Sequence, residues 1–105
     1  MFKPTEEQIE TWKKERGSVF KCTIGDTEYY YTTITRDQYL GILEKQQEAE
    51  ATSTKVNNEL ETVMCCILNT SDPTEISRRA GVASVLSEKI LVRSGFSLDV
   101  KDEEC

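Results

Sequence analysis

A Gly25-Asp26 pair set between two β-rich runs, residues 18–24 and 27–34, constrains this chain more than any other feature. Two residues of this kind between strand-like runs predict a tight hairpin of the II′ kind, because glycine adopts the positive φ of the first turn position without steric cost. Such a turn sets the register: Ile24 opposite Thr27, Cys22 opposite Tyr29 and Phe20 opposite Tyr31. Side chains alternate across a strand, so Phe20, Cys22, Ile24, Tyr29 and Tyr31 share an apolar face. Lys21, Thr23, Glu28 and Tyr30 fall on the other face, where Tyr30 is left to meet water or a partner. A lone two-stranded hairpin is marginal in water, so helices must cover the apolar face.

Helix signals surround the hairpin. Thr5 with Gln8 three residues on is a capping box, Glu6 and Glu7 suit the positive end of the helix dipole, and Lys13, Lys14 and Arg16 suit the other end before Gly17 stops it. Ile9 and Trp12 are its large apolar residues, a stripe too narrow for independent stability, so Trp12 is expected to pack on something else. Thr35 and Gln38 repeat the capping box, with Ile34 and Tyr39 placed as a hydrophobic staple. This second helix is expected to present Tyr39, Leu40 and Leu43, and then turns polar through residues 44–55. Val56, Leu60, Val63, Met64, Ile67 and Leu68 restore helical spacing and predict the central helix. Val56 lies thirteen positions beyond Leu43, which rotates the apolar face by roughly 220°. One straight helix would point its two stripes to nearly opposite sides, so a break near Thr52 to Thr54 is favoured over a helix running from Arg36 to Asn69.

Asp72, Pro73 and Glu75 open a short helix that Gly81 is expected to end. Val82, Val85, Leu86, Lys89 and Ile90 make a final amphipathic helix closed by Gly95, with Phe96 folding back on Leu91. The fold class is therefore α+β: an N-terminal helix, a β-hairpin, then three to four helices packed on the hairpin. The 105 residues suit one domain, residues 1–98, followed by an acidic C-terminal tail, residues 99–105.

Charge and composition narrow the function. With 19 acidic and 13 basic residues the net charge is −6, and residues 99–104 carry four acids against Lys101 alone. Without a dense basic cluster such a chain repels phosphate backbones, so no nucleic-acid partner is expected. No stretch approaches the ~20 apolar residues that span a bilayer, and Met1 to Lys14 lacks the pattern of a secretory signal, so no membrane role is expected either. Histidine is absent, which removes the commonest general base and every Ser-His or Cys-His pair. Cys22, Cys65, Cys66 and Cys105 form no C-x-x-C pair, and reduced thiols are the expectation. No phosphate-cradling glycine loop is present. The chain reads as a non-enzyme without cofactor or metal that works by binding other proteins.

The run PTEEQIETWKKERGSVFKCTIGDTEYYYTTITRDQY, residues 4–39, resembles the opening of small bacteriophage tail proteins, including tail assembly chaperone-like and baseplate-associated ones. In these a TEEQI-type helix and a glycine stop lead into a hairpin and a "TR" helix start. The run LETVMCCILNTSDPTEISRRAGVASVLSEKILVRSGF, residues 60–96, resembles their closing part, with an "AG" stop and an "SGF" end. The resemblance rests on structural punctuation and implies a protein of tail construction without enzymatic residues. It implies a tail or baseplate structural component made in the host cytoplasm and carried in the virion, binding other phage structural proteins in multiple copies of a symmetric assembly. A transient tail assembly chaperone and a small viral inhibitor of a host enzyme are the rival readings. Trp12, Tyr30, Asp99 and Val100 are the candidate partner-binding residues.

Overall fold

The computed structural model describes residues 2–51, 58–96 and 102–104. Helix α1 (Glu6–Arg16) leads into an antiparallel hairpin of β1 (Phe20–Ile24) and β2 (Thr27–Tyr31). Helices α2 (Arg36–Ala51), α3 (Asn58–Cys66), α4 (Pro73–Ser77) and α5 (Ala80–Leu91) follow, and a single π-type turn, Val92–Phe96, closes the ordered sequence of elements. The fold is α+β in the expected order.

Local signals act as their chemistry requires. Thr5 Oγ1 accepts from Gln8 N at 3.2 Å while Gln8 Oε1 accepts from Thr5 N at 3.0 Å, and Thr35 and Gln38 reproduce both distances at the start of α2. Each box satisfies two backbone donors that the first helical turn leaves without partners. Gly17, at φ 93°, ends α1 by donating to Lys13 O at 2.9 Å. Gly25 supplies φ 62° at the hairpin turn, and the pairs Phe20–Tyr31, Cys22–Tyr29 and Ile24–Thr27 stand in the expected register.

The second edge of β2 is also paired. Tyr31 bridges to Ile67, Thr32 N donates to Cys66 O at 3.0 Å, and Leu68 N donates to Tyr30 O at 2.8 Å. This corrects the expectation that the central helix runs on through Ile67 and Leu68: α3 stops at Cys66, Ile67 forms a single bridge and the chain then bends. Buried backbone groups on β2 need partners, and this segment provides them.

Helix phase differs from expectation in two places. On α2 the buried residues are Ile42 and Ala49, whereas Leu40 and Leu43 are 44% and 36% exposed. Tyr39, Ile42, Gln46 and Ala49, at helical spacing, form the inward face. The polar stretch of α2 is consequently a contact with α3: Lys45 Nζ meets Glu61 Oε2 at 3.2 Å, and Asn58 Nδ2 donates to Gln46 Oε1 at 2.8 Å. Val56 and the break expected near Thr52 to Thr54 lie outside the described residues. On α5 the inward stripe is Val82, Ala83, Leu86, Ser87 and Ile90, and Val85 faces out.

Gly81 does not end a helix. It sits in the first turn of α5, after α4 has stopped at Ser77. Asp72 caps α4 as expected, its Oδ1 accepting from Thr74 N at 3.0 Å. Gly95 closes the chain's helical part at φ 105°, but Phe96 packs on Tyr39, the rings tilted by 52° with centroids 5.0 Å apart, where Leu91 was expected. The core joins Tyr29 and Tyr31 of the hairpin to Val63 and Cys66 of α3, Ile76 of α4, and Leu86 and Ile90 of α5. Among the described residues no helix is long and apolar enough to cross a membrane.

Candidate functional site

The four expected contact residues are not assembled into one surface. Trp12 is half-buried on α1, its ring 6.1 Å from that of Phe2, so the packing partner that its narrow helix needed is the segment leading into it. Tyr30 is a correction: it is 8% exposed and cannot offer a partner an open face. Its N–H donates to Asn69 Oδ1 at 3.1 Å and its hydroxyl donates to Glu28 Oε2 at 3.0 Å. Burial, with the Glu28 carboxylate beside it, raises the pKa of this phenol. Asp99 and Val100 lie outside the described residues.

Asn69 explains why the Tyr30 side of β2 is closed. Its Nδ2 donates to Glu28 O at 3.0 Å and to Phe2 O at 3.1 Å, while Phe2 N donates to Asn69 O at 3.3 Å. One side chain thus continues the pairing of β2 and ties down the segment leading into α1. Nothing in a single polar residue after an apolar run marks it for this role.

The thiols are poor candidates for chemistry. Cys22 and Cys65 are half-buried, Cys66 is fully buried, and all three are free. Burial pushes the Cys66 thiol up to about 12, so at neutral pH it holds almost no thiolate, the form that attacks or ligates. Cys65 is raised as well, by burial first and by Glu61. Among the described residues no three Cys, Asp or Glu side chains are grouped to hold a metal ion.

Two surface features were missed by spacing alone. The first is apolar. Phe96, 56% exposed, packs on Tyr39; Leu43 lies one helical turn beyond Tyr39, and Leu40 is its neighbour at three residues. A cavity of about 270 Å³ lies at its edge between the start of α2 and the closing turn, lined by Ile34, Arg36, Tyr39, Ser94 and Phe96 among others. Ser94 braces this turn, its hydroxyl donating to Ile90 O at 2.6 Å and accepting from Ile34 N at 3.0 Å. The second is polar: a cleft of about 340 Å³ between the hairpin and the α4–α5 junction, lined by Thr27, Tyr29, Glu75, Arg78, Arg79 and Val82.

No family model, curated protein or solved structure matches this chain.

Proposed function

We propose that this chain is a non-catalytic structural protein of a bacteriophage tail or baseplate, a small adaptor that binds other phage structural proteins in the virion. The observation that carries the binding role is a patch spanning two elements, in which exposed Phe96, Leu43 and Leu40 surround half-buried Tyr39 and leave large apolar side chains in water. Contiguous exposed apolar surface of this kind suits a protein contact, whereas scattered single residues would need no explanation. The absence of histidine and the proton-holding Cys66 thiol fit a role without turnover. The assignment to a tail comes from the likeness of residues 4–39 and 60–96 to small tail proteins.

Mass spectrometry of purified mature particles tests this reading. The expected result is the chain present at a fixed, multiple copy number. Its absence from mature particles, with presence in tail precursors, gives the role to a transient assembly chaperone. Recovery only in complex with a host enzyme gives it to an inhibitor.

A further inference from the structure

The polar cleft is an unusual place in an acidic protein. Arg78 and Arg79 stand side by side at the α4–α5 junction, and neither guanidinium hydrogen-bonds or ion-pairs with a described residue. Arg79 reaches toward the hairpin turn, since a Cβ placed on Gly25 would lie 3.6 Å from its Nη1. It also occupies the N-cap of α5, a twelve-residue helix, and makes no side-chain cap there, so no capping oxygen screens the positive end of the helix dipole.

A second, independent feature points to a ligand. Tyr29 lines the cleft and is only 5% exposed, yet its hydroxyl makes no hydrogen bond with a described residue and is not sealed from solvent. A phenol covered to this degree ordinarily finds a partner. Tyr29 and the two arginines line the same space. Glu75 on the cleft wall is the opposing charge, and its pKa is lowered by a hydrogen bond from Thr70 foremost, the charge of Arg78 being the smallest of the causes.

We propose that this cleft is a carboxylate-binding site, and that its ligand is the acidic segment, residues 99–104, of a second copy of the chain. Charge complementarity selects the ligand: that segment carries four acids against one lysine, in a chain whose other acids are interspersed with bases. The arginine fork suits carboxylates by bidentate geometry, and the Tyr29 hydroxyl adds a donor. The contact is made between copies because Asp102, Glu103 and Glu104 are exposed and make no ion pair with Arg78 or Arg79 of their own chain. Made reciprocally the contact closes a two-fold dimer, and made head to tail it builds a ring or a filament. It is independent of the proposed tail role.

The test is sedimentation velocity of full-length chains by complementation. One variant loses the cleft charges (Arg78→Ala with Arg79→Ala), and the other loses the segment's acids (Asp99→Asn, Asp102→Asn, Glu103→Gln and Glu104→Gln). The arginines, both exposed, can be replaced without opening the core, and unchanged circular dichroism checks this. The wild-type chain is expected to associate with rising concentration and to dissociate as salt is raised. Each variant alone should be monomeric, and an equimolar mixture should regain a one-to-one complex, because each supplies what the other lacks. Tyr29→Phe should weaken association by about two- to tenfold, the cost of one hydrogen bond. Association undiminished by the arginine substitutions, a monomeric wild-type chain at every concentration, or a mixture that stays monomeric would each overturn the proposal. Failure here leaves the tail role open, since that role is read from particle composition.

Discussion

The side-chain amide of Asn69 stands in for a strand residue against Tyr30: its Oδ1 accepts from Tyr30 N at 3.1 Å, thirty-nine residues away in the chain. The same amide donates through Nδ2 to the carbonyls of Glu28 and Phe2. Asn69 is 1% exposed, and only this orientation of the amide satisfies one N–H and two carbonyls. Asn69→Leu should therefore cost roughly 2 to 5 kcal/mol, because it orphans the buried Tyr30 N–H at about 1 to 3 kcal/mol and, at smaller cost, the part-buried carbonyls of Glu28 and Phe2. Asn69→Asp should be at least as damaging near neutral pH, where a carboxylate would face two carbonyls, and should recover partly on acidification. Urea unfolding of both variants at pH 7 and pH 4.5 measures this, and equal loss at the two pH values for Asn69→Asp would refute the assigned donor role.

Burial separates the leucines of this chain. Leu86 is fully enclosed in the core, so Leu86→Ala should lose about 2 to 5 kcal/mol. Leu40, at 44% exposure, should lose no more than about 0.5 kcal/mol on the same change. If Leu40→Ala instead destabilised the isolated chain as much as Leu86→Ala, the inward face of α2 would be misassigned.

Cys66 sets an alkaline limit on stability. Its thiol is held up to about 12 by burial, while in the unfolded chain it titrates near an ordinary cysteine value of about 8.5. Between those values the unfolded chain has lost a proton that the folded chain still binds, so stability is full below the lower pKa and falls as pH rises through the window. The phenols of Tyr30 and Tyr31, both raised from 10.0 by burial foremost, add to the fall at higher pH. Cys66→Ala should flatten the stability profile between about pH 8.5 and 10. Iodoacetamide at pH 8, followed by peptide mass mapping, should label Cys66 more than about a thousandfold more slowly in the folded chain than in denaturant.

Gly25 carries its dihedral for the hairpin turn. A Cβ there meets Arg79 Nη1 at an ordinary 3.6 Å, so crowding contributes little and φ 62° decides the cost. Gly25→Ala should lose about 1 to 2 kcal/mol, and Gly25→Asn clearly less, since asparagine tolerates the left-handed region better. Thermal melts of the two variants give the comparison, and equal losses would mean that the turn does not depend on the positive φ.

Much of this architecture was legible in the chain because its determinants are local. The two Thr/Gln boxes close on themselves within three residues, Asp72 reaches only Thr74, and the Gly25-Asp26 turn needs only its flanking residues to set the register of five pairs. The inward face of α2 was not legible. Leu40 and Leu43 outweigh Ile42 and Ala49 in apolar bulk, but α2 packs on α3 through Lys45 and Gln46, and Ile42 and Ala49 are the residues it buries. Of the expected contact residues, Trp12 packs against Phe2, and Tyr30 is enclosed: alternation assigns a side chain to a face without saying what covers that face.

By itself the sequence determined the caps, the turn, the strand register and the order of elements, since each depends on groups within about four residues of one another. Tertiary structure alone decided that α3 stops at Cys66 and gives way to a bridge at Ile67, that Gly81 lies within a helix, that Tyr30 is enclosed, and that Arg78, Arg79 and Tyr29 line one cleft. The reason is the second edge of β2: its buried N–H and C=O groups require partners, and the groups that answer them, from Cys66 to Asn69, lie more than thirty residues along the chain, beyond the reach of any local signal.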